Sequence, residues 1–195
     1  MPSVTVSLDD LSWPIRTERL TLRRSRADDT EATWAYRSDP AVADWMVRLP
    51  VSRAEYDEWY VSPEMHSTRV VVERDGVLLG ELHVQVKDGW AQAEVADQAT
   101  GTEAEIGWVL APEHQGRGYG TEAVEALLAL CFEQLGVRRV TAGCYTDNVP
   151  SWRLMERVGM RRESHNLRDG LHRTRGWLDG YQYALLVDEW PVRPA

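Results

Sequence analysis

The feature that most constrains this chain is a seven-residue run, residues 115–121 (QGRGYGT), with glycine at every second position. The run lies between a strand-like apolar stretch, residues 105–110, and an amphipathic helix predicted over residues 121–135. Glycine lets the backbone bend tightly and approach a ligand without interference from a Cβ atom. The helix that follows begins with unpaired N–H groups and a partial charge of about +0.5. The run therefore predicts an anion site of the kind that binds phosphates.

Two familiar phosphate loops differ from this run in their spacing. A P-loop ends in lysine followed by Ser or Thr, whereas the only lysine of the chain is Lys87. A dinucleotide fingerprint needs G-x-G-x-x-G and an acidic residue about 20 positions further on. Here the glycines are Gly116, Gly118 and Gly120, and the next predicted strand ends in no suitable acid at that distance. Both loops are therefore poor matches.

A third pattern fits three segments in order. Gln115-x-x-Gly118-x-Gly120 resembles the pyrophosphate loop of the GNAT superfamily of N-acetyltransferases, which bind acetyl-coenzyme A. Residues 148–160 are similar to that family's second motif, an Asn-led helix that ends in glycine plus a large apolar residue. Residues 15–23 (IRTERLTLR) are similar to the first strand of the Rim-type subgroup, the ribosomal-protein N-terminal acetyltransferases. The resemblance covers nearly the whole chain and identifies the superfamily, but not the substrate.

The resemblance and the hydrophobic pattern predict an α/β (α+β) fold, with a single GNAT-like domain over residues 15–191 after a leader, residues 1–14. We expect a mixed central sheet of about seven strands flanked by about four helices. Asp75-Gly76 predicts a hairpin turn, Ser52 a helix N-cap and Gly136 a helix end. Strands are expected around Leu20 and Leu22 and over residues 68–73, 77–86, 103–110, 139–145, 160–164 and 181–190. Helices are expected over residues 28–38, 53–60, 121–135 and 150–158. Loops are expected over residues 88–102 and 168–176.

Composition limits the classes of function that are open to the chain. Its 195 residues, 43% of them hydrophobic, suffice for one domain with a sizeable core. No apolar run approaches the ~20 residues that span a bilayer, and the first residues lack the pattern of a secretory signal. Two cysteines and no Cys/His cluster of zinc spacing favour neither a disulfide framework nor a metal. We expect a cytoplasmic enzyme without a metal or a membrane partner.

The net charge of −9 argues against nucleic acid as a partner, because phosphate binding needs a basic face. It mildly favours cationic acceptors such as amines. Coenzyme A is itself an anion, so the amides of the glycine-rich run and Arg117 must supply a locally positive site. Homodimers are frequent in the superfamily, and the resemblance makes a homodimer an expectation here.

The resemblance assigns the donor site to three segments. Backbone N–H groups of the glycine-rich run would bind the pyrophosphate, Val109 and Leu110 would present backbone groups to the pantetheine and acetyl carbonyl, and Asn148 would hydrogen-bond the cofactor arm. Each segment also has an ordinary explanation, since a strand–helix turn, core side chains and an Asn N-cap need no ligand. The cofactor-binding residues implied for the run are Gln115, Gly116, Arg117, Gly118, Tyr119, Gly120 and Thr121.

This chain departs from the family pattern at the position of the residue that protonates the leaving thiolate. Many members carry a tyrosine seven residues after the motif asparagine, where this chain has Met155, which cannot donate a proton. Ser151 is the replacement candidate, as in the Rim-type subgroup, and its ordinary role is that of a first-turn helix residue. Nothing indicates a covalent intermediate, because Cys131 lies on an apolar helix stripe and Cys144 has no evident activating partner.

Glu105 is the first candidate for the general base, since it lies on the fourth predicted strand close to where the acetyl group is expected. Glu103, on the same strand face, competes with it, and a strand glutamate is commonly a solvated edge residue. An ordinary Glu has a pKa near 4.3, far below that of an amine, so it would act through water or after burial. The alternative bases are His83, His114, His165 and His172, each of which is also explained as a surface or structural histidine.

Aromatic residues on and near the first two helices suggest an acceptor pocket, because these helices cover that pocket in the family. The candidate residues are Trp34, Tyr36, Trp45 and Trp108. The simpler explanation, that the aromatics anchor helices on the sheet, is favoured. The alternative is an aromatic, acidic cleft for a cationic peptide terminus or amine drug.

These observations predict an N-acetyltransferase that moves an acetyl group from acetyl-CoA to a primary amine by direct attack in a ternary complex. Deprotonating a lysine amine at pH 7 costs about 4–5 kcal/mol, against about 1 kcal/mol for an α-amine. A protein or peptide N-terminal α-amine is therefore the preferred acceptor. The alternatives are a small-molecule amine (aminoglycoside, polyamine or amino acid), a longer acyl donor such as succinyl-CoA, and a non-catalytic acyl-CoA-binding sensor.

Overall fold

The computed structural model describes residues 6–49 and 52–190, which fall into two compact units. The N-terminal unit contains Val6–Val84 and Trp108–Leu127. The C-terminal unit contains Gln85–Gly107 and the described chain from Leu128 onward. Residues 1–5 of the expected leader and residue 191 of the expected domain lie outside the described residues.

The N-terminal unit contains four strands in antiparallel order, with a tight hairpin where one was predicted. The turn before the fourth strand has Asp75 and Gly76 at φ of 52° and 79°, the left-handed conformation that a two-residue hairpin turn requires. The predicted hairpin is therefore confirmed. The strands, in spatial order, are β1 (Ile15–Arg16), β2 (Thr21–Arg24), β3 (Arg69–Arg74) and β4 (Val77–Lys87), and β4 continues past Val84 into the C-terminal unit.

The helices that begin in the N-terminal unit are α1 (Thr30–Arg37), α2 (Pro40–Ala43), α3 (Arg53–Tyr60), α4 (Pro63–Thr68) and α5 (Tyr119–Ala129). The C-terminal unit begins at Leu128 within α5, and the helix continues there as a π-helical segment, Leu130–Gln134. Ser52 caps α3 as predicted, because its side chain accepts a hydrogen bond from Glu55 N at 3.2 Å. The sequence analysis missed α2 and α4. Both helices begin with proline after a capping side chain, which is Asp39 for α2 and Ser62 for α4. This combination favours the start of a helix.

The C-terminal unit contains a mixed sheet with strand order β5-β6-β8-β7. β5 and β6 are parallel, whereas β8 is antiparallel to both of its neighbours. The predicted α/β fold with a mixed sheet is confirmed, with eight strands and six α-helices in the described residues where about seven and four were expected. The elements are β5 (Glu103–Leu110), which ends in the N-terminal unit, β6 (Arg139–Tyr145), α6 (Val149–Arg157), β7 (Arg161–His172) and β8 (Gly176–Leu186).

The expected loop over residues 168–176 is wrong, because β7 extends to His172 and β8 begins at Gly176. Cross-strand partners such as Leu171 and Trp177 continue the pairing almost to the turn. The pairing of β7 with β8 shifts register between Arg162 and Ser164 and again between Asn166 and Gly170, and Arg168 has a positive φ of 51°. These irregularities let β7 continue through the polar, glycine-containing sequence that suggested a loop. The other expected loop, residues 88–102, contains a 3₁₀ helix, Ala93–Ala99.

Side-chain alternation gives the C-terminal sheet two distinct faces. Its apolar face carries Val140, Ala142 and Cys144 of β6, of which the first two are fully buried. Its charged face carries the alternating residues Arg139 and Glu103, which are registered partners and form an ion pair at 3.7 Å. Among the described residues, no helix is both long and apolar enough to span a bilayer.

Candidate active site

The glycine-rich loop turns from β5 into α5 through two left-handed glycines, Gly116 at φ 72° and Gly118 at φ 80°. α5 begins at Tyr119, and Glu122 N donates to Gly118 O at 3.1 Å, so Gly118 lies at the start of the helix. Gln115 ties the loop back to the end of β5, since its Nε2 donates to Leu110 O at 2.9 Å. The loop is largely exposed. Amides at such a helix start can bind an anion.

A carboxylate in the first turn of α5 holds the N-terminal segment against the loop. Glu122 Oε1 accepts hydrogen bonds from Thr17 Oγ1 at 2.5 Å and from Arg19 N at 2.8 Å, and Oε2 accepts from Arg19 Nε at 2.7 Å. Partial burial opposes ionisation, but these donors outweigh it and lower the pKa of Glu122. Arg19 Nη1 also donates to Arg117 O at 3.2 Å, so the loop backbone is fixed from outside.

Two guanidinium groups lie over the ring of Tyr119, beside the loop. This ring is buried, with Arg19 4.9 Å and Arg74 5.5 Å from the ring centroid, and Arg74 Nη1 donates to its hydroxyl. Arg117 itself is exposed. Sequence analysis selected Arg117 but missed Arg19 and Arg74. The positive charge beside the loop therefore comes from three arginines rather than one.

The end of β5 lies close against β4 in the N-terminal unit. Ala111 N donates to Leu79 O at 2.9 Å, and a Cβ atom at Gly80 would clash with the carbonyl oxygen of Val109. The side chain of Val109 packs against the buried cluster around Tyr36. Val109 therefore has the core side chain that was predicted, and this leaves only backbone groups for a ligand role. Leu110 is partly buried and accepts the Gln115 hydrogen bond described above.

In the C-terminal unit, the first turn of α6 brings three polar groups together. Asn148 is the N-cap, as predicted, and its side chain accepts from Ser151 N at 3.4 Å. The Ser151 hydroxyl and the Trp152 backbone N–H both hydrogen-bond the thiol of Cys144 on β6. Ser151 and Trp152 are therefore polar partners of Cys144 that were not predicted from the sequence. Burial nevertheless raises the pKa of Cys144 overall, and burial raises that of Cys131 to about 12, so neither thiol is an activated nucleophile.

Glu105 lies apart from Ser151 within this unit. It is registered with Thr141 on the charged face of the sheet, whereas Cys144, the partner of Ser151, projects from the apolar face. Glu105 is exposed and accepts a hydrogen bond from Lys87 Nζ at 2.7 Å. This placement matches the ordinary explanation of a solvated strand glutamate, and the role of Glu105 as the base stays a prediction.

The predicted pocket aromatics of α1 contact other helices and the sheet. The ring of Trp34 lies 5.3 Å from that of Tyr56 on α3, and Tyr36 is buried with its hydroxyl 2.6 Å from Glu81 Oε2. Trp45 and Trp108 are both partly buried. The contacts of Trp34 and Tyr36 are those expected of residues that anchor helices, and a role in acceptor binding stays a prediction for all four.

A buried carboxylate, which the sequence analysis missed, explains the position of Tyr36. Glu81 on β4 accepts hydrogen bonds from Arg37 Nε and Arg69 Nη1, both at 2.6 Å, and from the Tyr36 hydroxyl. Burial opposes its ionisation, but the two guanidinium charges outweigh that effect and lower the pKa of Glu81 to about 2. The alternating pattern of β4 gave no signal for this cluster, since its partners come from α1 and β3.

His165, one of the four histidine candidates, lies at hydrogen-bond distance from a carboxylate. His165 Nε2 lies 2.8 Å from Asp179 Oδ2, and the His165 side chain is 47% exposed. His172 is buried, with its ring centroid 5.6 Å from that of Tyr145. His114, beside the loop, and His83, on β4, are partly buried. Among residues 6–49 and 52–190, no group of three or more His, Cys, Asp or Glu side chains is arranged to hold a metal ion.

Comparison with known families now identifies the class of protein. A family model described as the acetyltransferase (GNAT) domain matches residues 19–161, most of the chain. The chain therefore belongs to the GNAT acetyltransferase family. The N-acetyltransferase YnaD of Bacillus subtilis is 29% identical over 90% of this chain and 98% of its own. The putative ribosomal N-acetyltransferase YdaF of the same species is 29% identical over 89% of this chain and 94% of its own.

Solved structures agree with this family. An acetyltransferase of the GNAT family from Bacillus anthracis is 30% identical, with a TM-score of 0.76 over 90% of this chain and 99% of that one. Spermidine N-acetyltransferase from Vibrio cholerae, solved with CoA and spermine, shares the fold at 20% identity and a TM-score of 0.72, over 89% of this chain and 98% of that one. Mycobacterium smegmatis RimJ, solved with CoA-disulfide, shares it at 23% identity and a TM-score of 0.71, over 88% and 84%. The protein is thus an N-acetyltransferase of the GNAT type.

Proposed function

We propose that this enzyme transfers the acetyl group of acetyl-CoA to the α-amine of a protein or peptide N-terminus, by direct attack in a ternary complex. The observation that carries the use of acetyl-CoA is the exposed turn with two left-handed glycines at the start of α5. That geometry presents several amides to one anion. The residues present fit a diphosphate.

The loop residues from Gln115 to Thr121 would hold the diphosphate through their backbone N–H groups, and Arg19, Arg74 and Arg117 would add positive charge around it. Coenzyme A supplies the acetyl group as a thioester. A fixed donor matters because alignment of reacting groups is worth up to ~7–11 kcal/mol of a barrier. The backbone groups of Val109 and Leu110 would orient the pantetheine arm beside β5.

At the start of α6, the Ser151 hydroxyl would stabilise the charge that develops on the leaving sulfur. A hydroxyl is a weak acid, but a hydrogen bond to a charged group contributes about 1.5–3 kcal/mol. The N-cap bond from Ser151 N to Asn148 fixes the backbone that carries this hydroxyl. Met155, one turn further on, is buried and has no proton to donate, so Ser151 is the candidate donor in α6.

The α-amine is preferred as the acceptor for two reasons. At pH 7 it reaches its neutral, nucleophilic form at a cost of about 1 kcal/mol, where a lysine side chain needs about 4–5 kcal/mol. In addition, one relative, which aligns with this chain over 94% of its own length, is named a putative ribosomal N-acetyltransferase. The net charge of −9 favours any cationic acceptor, which also includes a polyamine such as spermidine.

A competition among three amines tests the acceptor. The purified enzyme is incubated with acetyl-CoA and either a basic peptide with a free α-amine and no lysine, an N-terminally blocked peptide with one lysine, or spermidine. Thiol release and product mass are measured. We expect kcat/KM for the free α-amine to exceed that for lysine by roughly 200- to 900-fold, the factor that corresponds to a difference of about 3–4 kcal/mol in deprotonation cost.

Turnover of spermidine without turnover of the α-amine peptide would replace the proposed acceptor with a polyamine. The same assay with succinyl-CoA as the donor tests the choice of the acetyl group. Turnover with succinyl-CoA at a rate equal to or above that with acetyl-CoA would contradict it.

A further inference from the structure

We propose that His165, oriented by Asp179, is the general base that takes the proton from the acceptor amine. This inference rests on the proposed function, since it assigns a residue of the same reaction. It places the base on the hairpin of β7 and β8 rather than at Glu105 on β5.

The strand register places His165 on the same face of the sheet as the start of α6. Cys144 on β6 is registered with Tyr181 on β8, and Tyr181 is registered with His165 on β7. Registered partners project to the same face. Since Cys144 receives the hydrogen bond of the Ser151 hydroxyl, Ser151, Tyr181 and His165 all lie over the apolar face. Glu105 projects from the opposite face.

The separation suits an acceptor amine between the two groups. β6 and β7 are separated by β8 alone, so the backbones of Cys144 and His165 are about 10 Å apart. Side chains on one face of a sheet project roughly parallel to one another, so this separation leaves the ring of Tyr181 between Ser151 and His165. Tyr181 lies between them, with its ring centroid 5.1 Å from that of His165 and 6.4 Å from that of Trp152. These rings form an aromatic surface of the kind that receives a cationic amine.

Asp179 gives the imidazole the tautomer that a base needs. The Nε2–H of neutral His165 donates to Asp179 Oδ2 at 2.8 Å, which leaves the lone pair on Nδ1. No hydrogen bond to Nδ1 is recorded within residues 6–49 and 52–190. The other carboxylate oxygen accepts from Arg168 N at 2.9 Å, so Asp179 is itself held in place. The Arg168 N–H and His165 together lower the pKa of Asp179.

Hydrogen bonds also connect this pair to the start of α6. Thr146 N donates to Asp179 O at 3.0 Å, and the Nε1 of Trp152 donates to Thr146 O at 3.1 Å. The backbone of Asp179 is therefore fixed with respect to the turn that precedes Ser151.

Three charged residues lie near His165. Asp179 contacts its ring directly, the backbone N–H of Arg168 contacts Asp179, and the guanidinium of Arg162 lies 4.1 Å from the Tyr181 ring centroid. Arg162 is in turn paired with Glu156 of α6 at 2.9 Å, which balances its charge. The imidazole is thus accessible and has one carboxylate partner.

The proton transfer balances without a further reactant. Neutral Nδ1 of His165 takes a proton from the acceptor ammonium, the N–H electron pair stays on the amine nitrogen, and that nitrogen forms the new bond to the acetyl carbon. The bond to sulfur breaks, and its electron pair leaves on the sulfur. The second proton of the attacking nitrogen passes to that sulfur, so that the amide and the free coenzyme A thiol result. His165 then returns its proton to water.

The test is a pH–rate profile of peptide acetylation for wild type, His165→Gln and Asp179→Asn, with His66→Gln as the matched control. His66 is an exposed histidine of α4 whose ring Nδ1 lies 3.3 Å from Ser25 Oγ. We expect His165→Gln to lower kcat about 100-fold and to abolish the fall in rate that protonation of an imidazole causes on the acid side. Asp179→Asn should lower kcat about 10-fold, and His66→Gln should match wild type.

Two further readouts separate a base from a structural residue. Acetyl-CoA affinity, measured by calorimetry, should stay within about twofold of wild type in both variants, and added imidazole should restore part of the rate of His165→Gly. A His165→Gln enzyme with wild-type kcat and an unchanged pH profile would overturn this inference and leave the proposed function intact. A wild-type protein that acetylates none of the three amines would overturn both.

Discussion

Two of the places where a strand leads through a turn into a helix, the β5–α5 corner and the β6–α6 corner, are built by different means. At the β5–α5 corner, glycines at positive φ shape the backbone, and the groups proposed to bind the donor are amides. At the β6–α6 corner, the side chain of Asn148 caps the helix, and the group proposed to stabilise the leaving sulfur is the side-chain hydroxyl of Ser151. The first corner should therefore respond to changes in backbone freedom, and the second to changes in single side-chain atoms.

The largest effect is expected at the glycine corner. Gly118→Val forces a β-branched residue to φ 80° and places a Cβ 3.3 Å from Arg19 Nη2. Such strain is of order 1–3 kcal/mol, and if it is relieved by reshaping the loop, acetyl-CoA affinity should fall about 10- to 100-fold. Calorimetric titration with acetyl-CoA measures this.

The matched control is Gly136→Val. Gly136 also has a positive φ, 68°, with no atom near its Cβ position, but it ends a helix away from the loop sequence. We expect a similar loss of stability and unchanged acetyl-CoA affinity. If both variants lose affinity equally, the effect comes from general destabilisation and the comparison fails.

At the α6 corner, Ser151→Ala should lower kcat about 10- to 100-fold, because it removes one hydrogen bond to a developing negative charge. Acetyl-CoA affinity should change less than twofold, since no backbone group is altered. Steady-state kinetics and calorimetry together measure the split. Ser164→Ala, on β7, is the control. A variant that loses affinity but keeps kcat would assign Ser151 to binding instead.

A smaller effect is expected where a side chain supports the glycine corner from outside. Glu122→Gln weakens the bonds to Thr17 and Arg19, so we expect a loss of about 1–2 kcal/mol in unfolding free energy and a few-fold loss of acetyl-CoA affinity. Because the folded-state pKa of Glu122 is lowered, the stability advantage of wild type is present at neutral pH. It should disappear as the pH falls below about 4.3. Urea unfolding across pH, with Glu113→Gln as the control, checks the sign.

The smallest effect concerns the cap of α6. Asn148→Ala should cost about 1 kcal/mol in unfolding free energy, and Asn148→Asp should be nearly neutral, because aspartate keeps the acceptor oxygen. Urea denaturation distinguishes the two. A large loss of kcat in Asn148→Asp, with stability kept, would show that the amide contacts the substrate and is more than a cap.

Much of the fold could be predicted because local patterns determine it. The bounds of β5, β6 and α3 match the expected residues, since hydrophobic alternation, glycine and a serine cap mark their ends. The turn at the β5–α5 corner was predicted from its alternate glycines, whereas its role as the donor site was implied by the family resemblance and stays a prediction. The long β7 was missed, because its register shifts interrupt the alternation on which a strand prediction depends.

The partners of the candidate site were less predictable than its motifs. Glu122 meets Thr17 and Arg19 across about a hundred residues of sequence, and nothing local to either segment indicates the other. The short contact between His165 and Asp179 likewise depends on the pairing of β7 with β8. Such contacts follow from strand register and helix placement, which are properties of the folded chain.

The most direct test of the account is a calorimetric titration of the wild-type protein with acetyl-CoA and with acetyl-pantetheine, which lacks the diphosphate and nucleotide. If the amides of the β5–α5 corner hold the diphosphate, acetyl-CoA should bind with micromolar affinity, and acetyl-pantetheine at least about 100-fold more weakly, a difference of about 2.7 kcal/mol. Equal binding of the two, or no binding of acetyl-CoA, would contradict the central claim that this corner is the donor site.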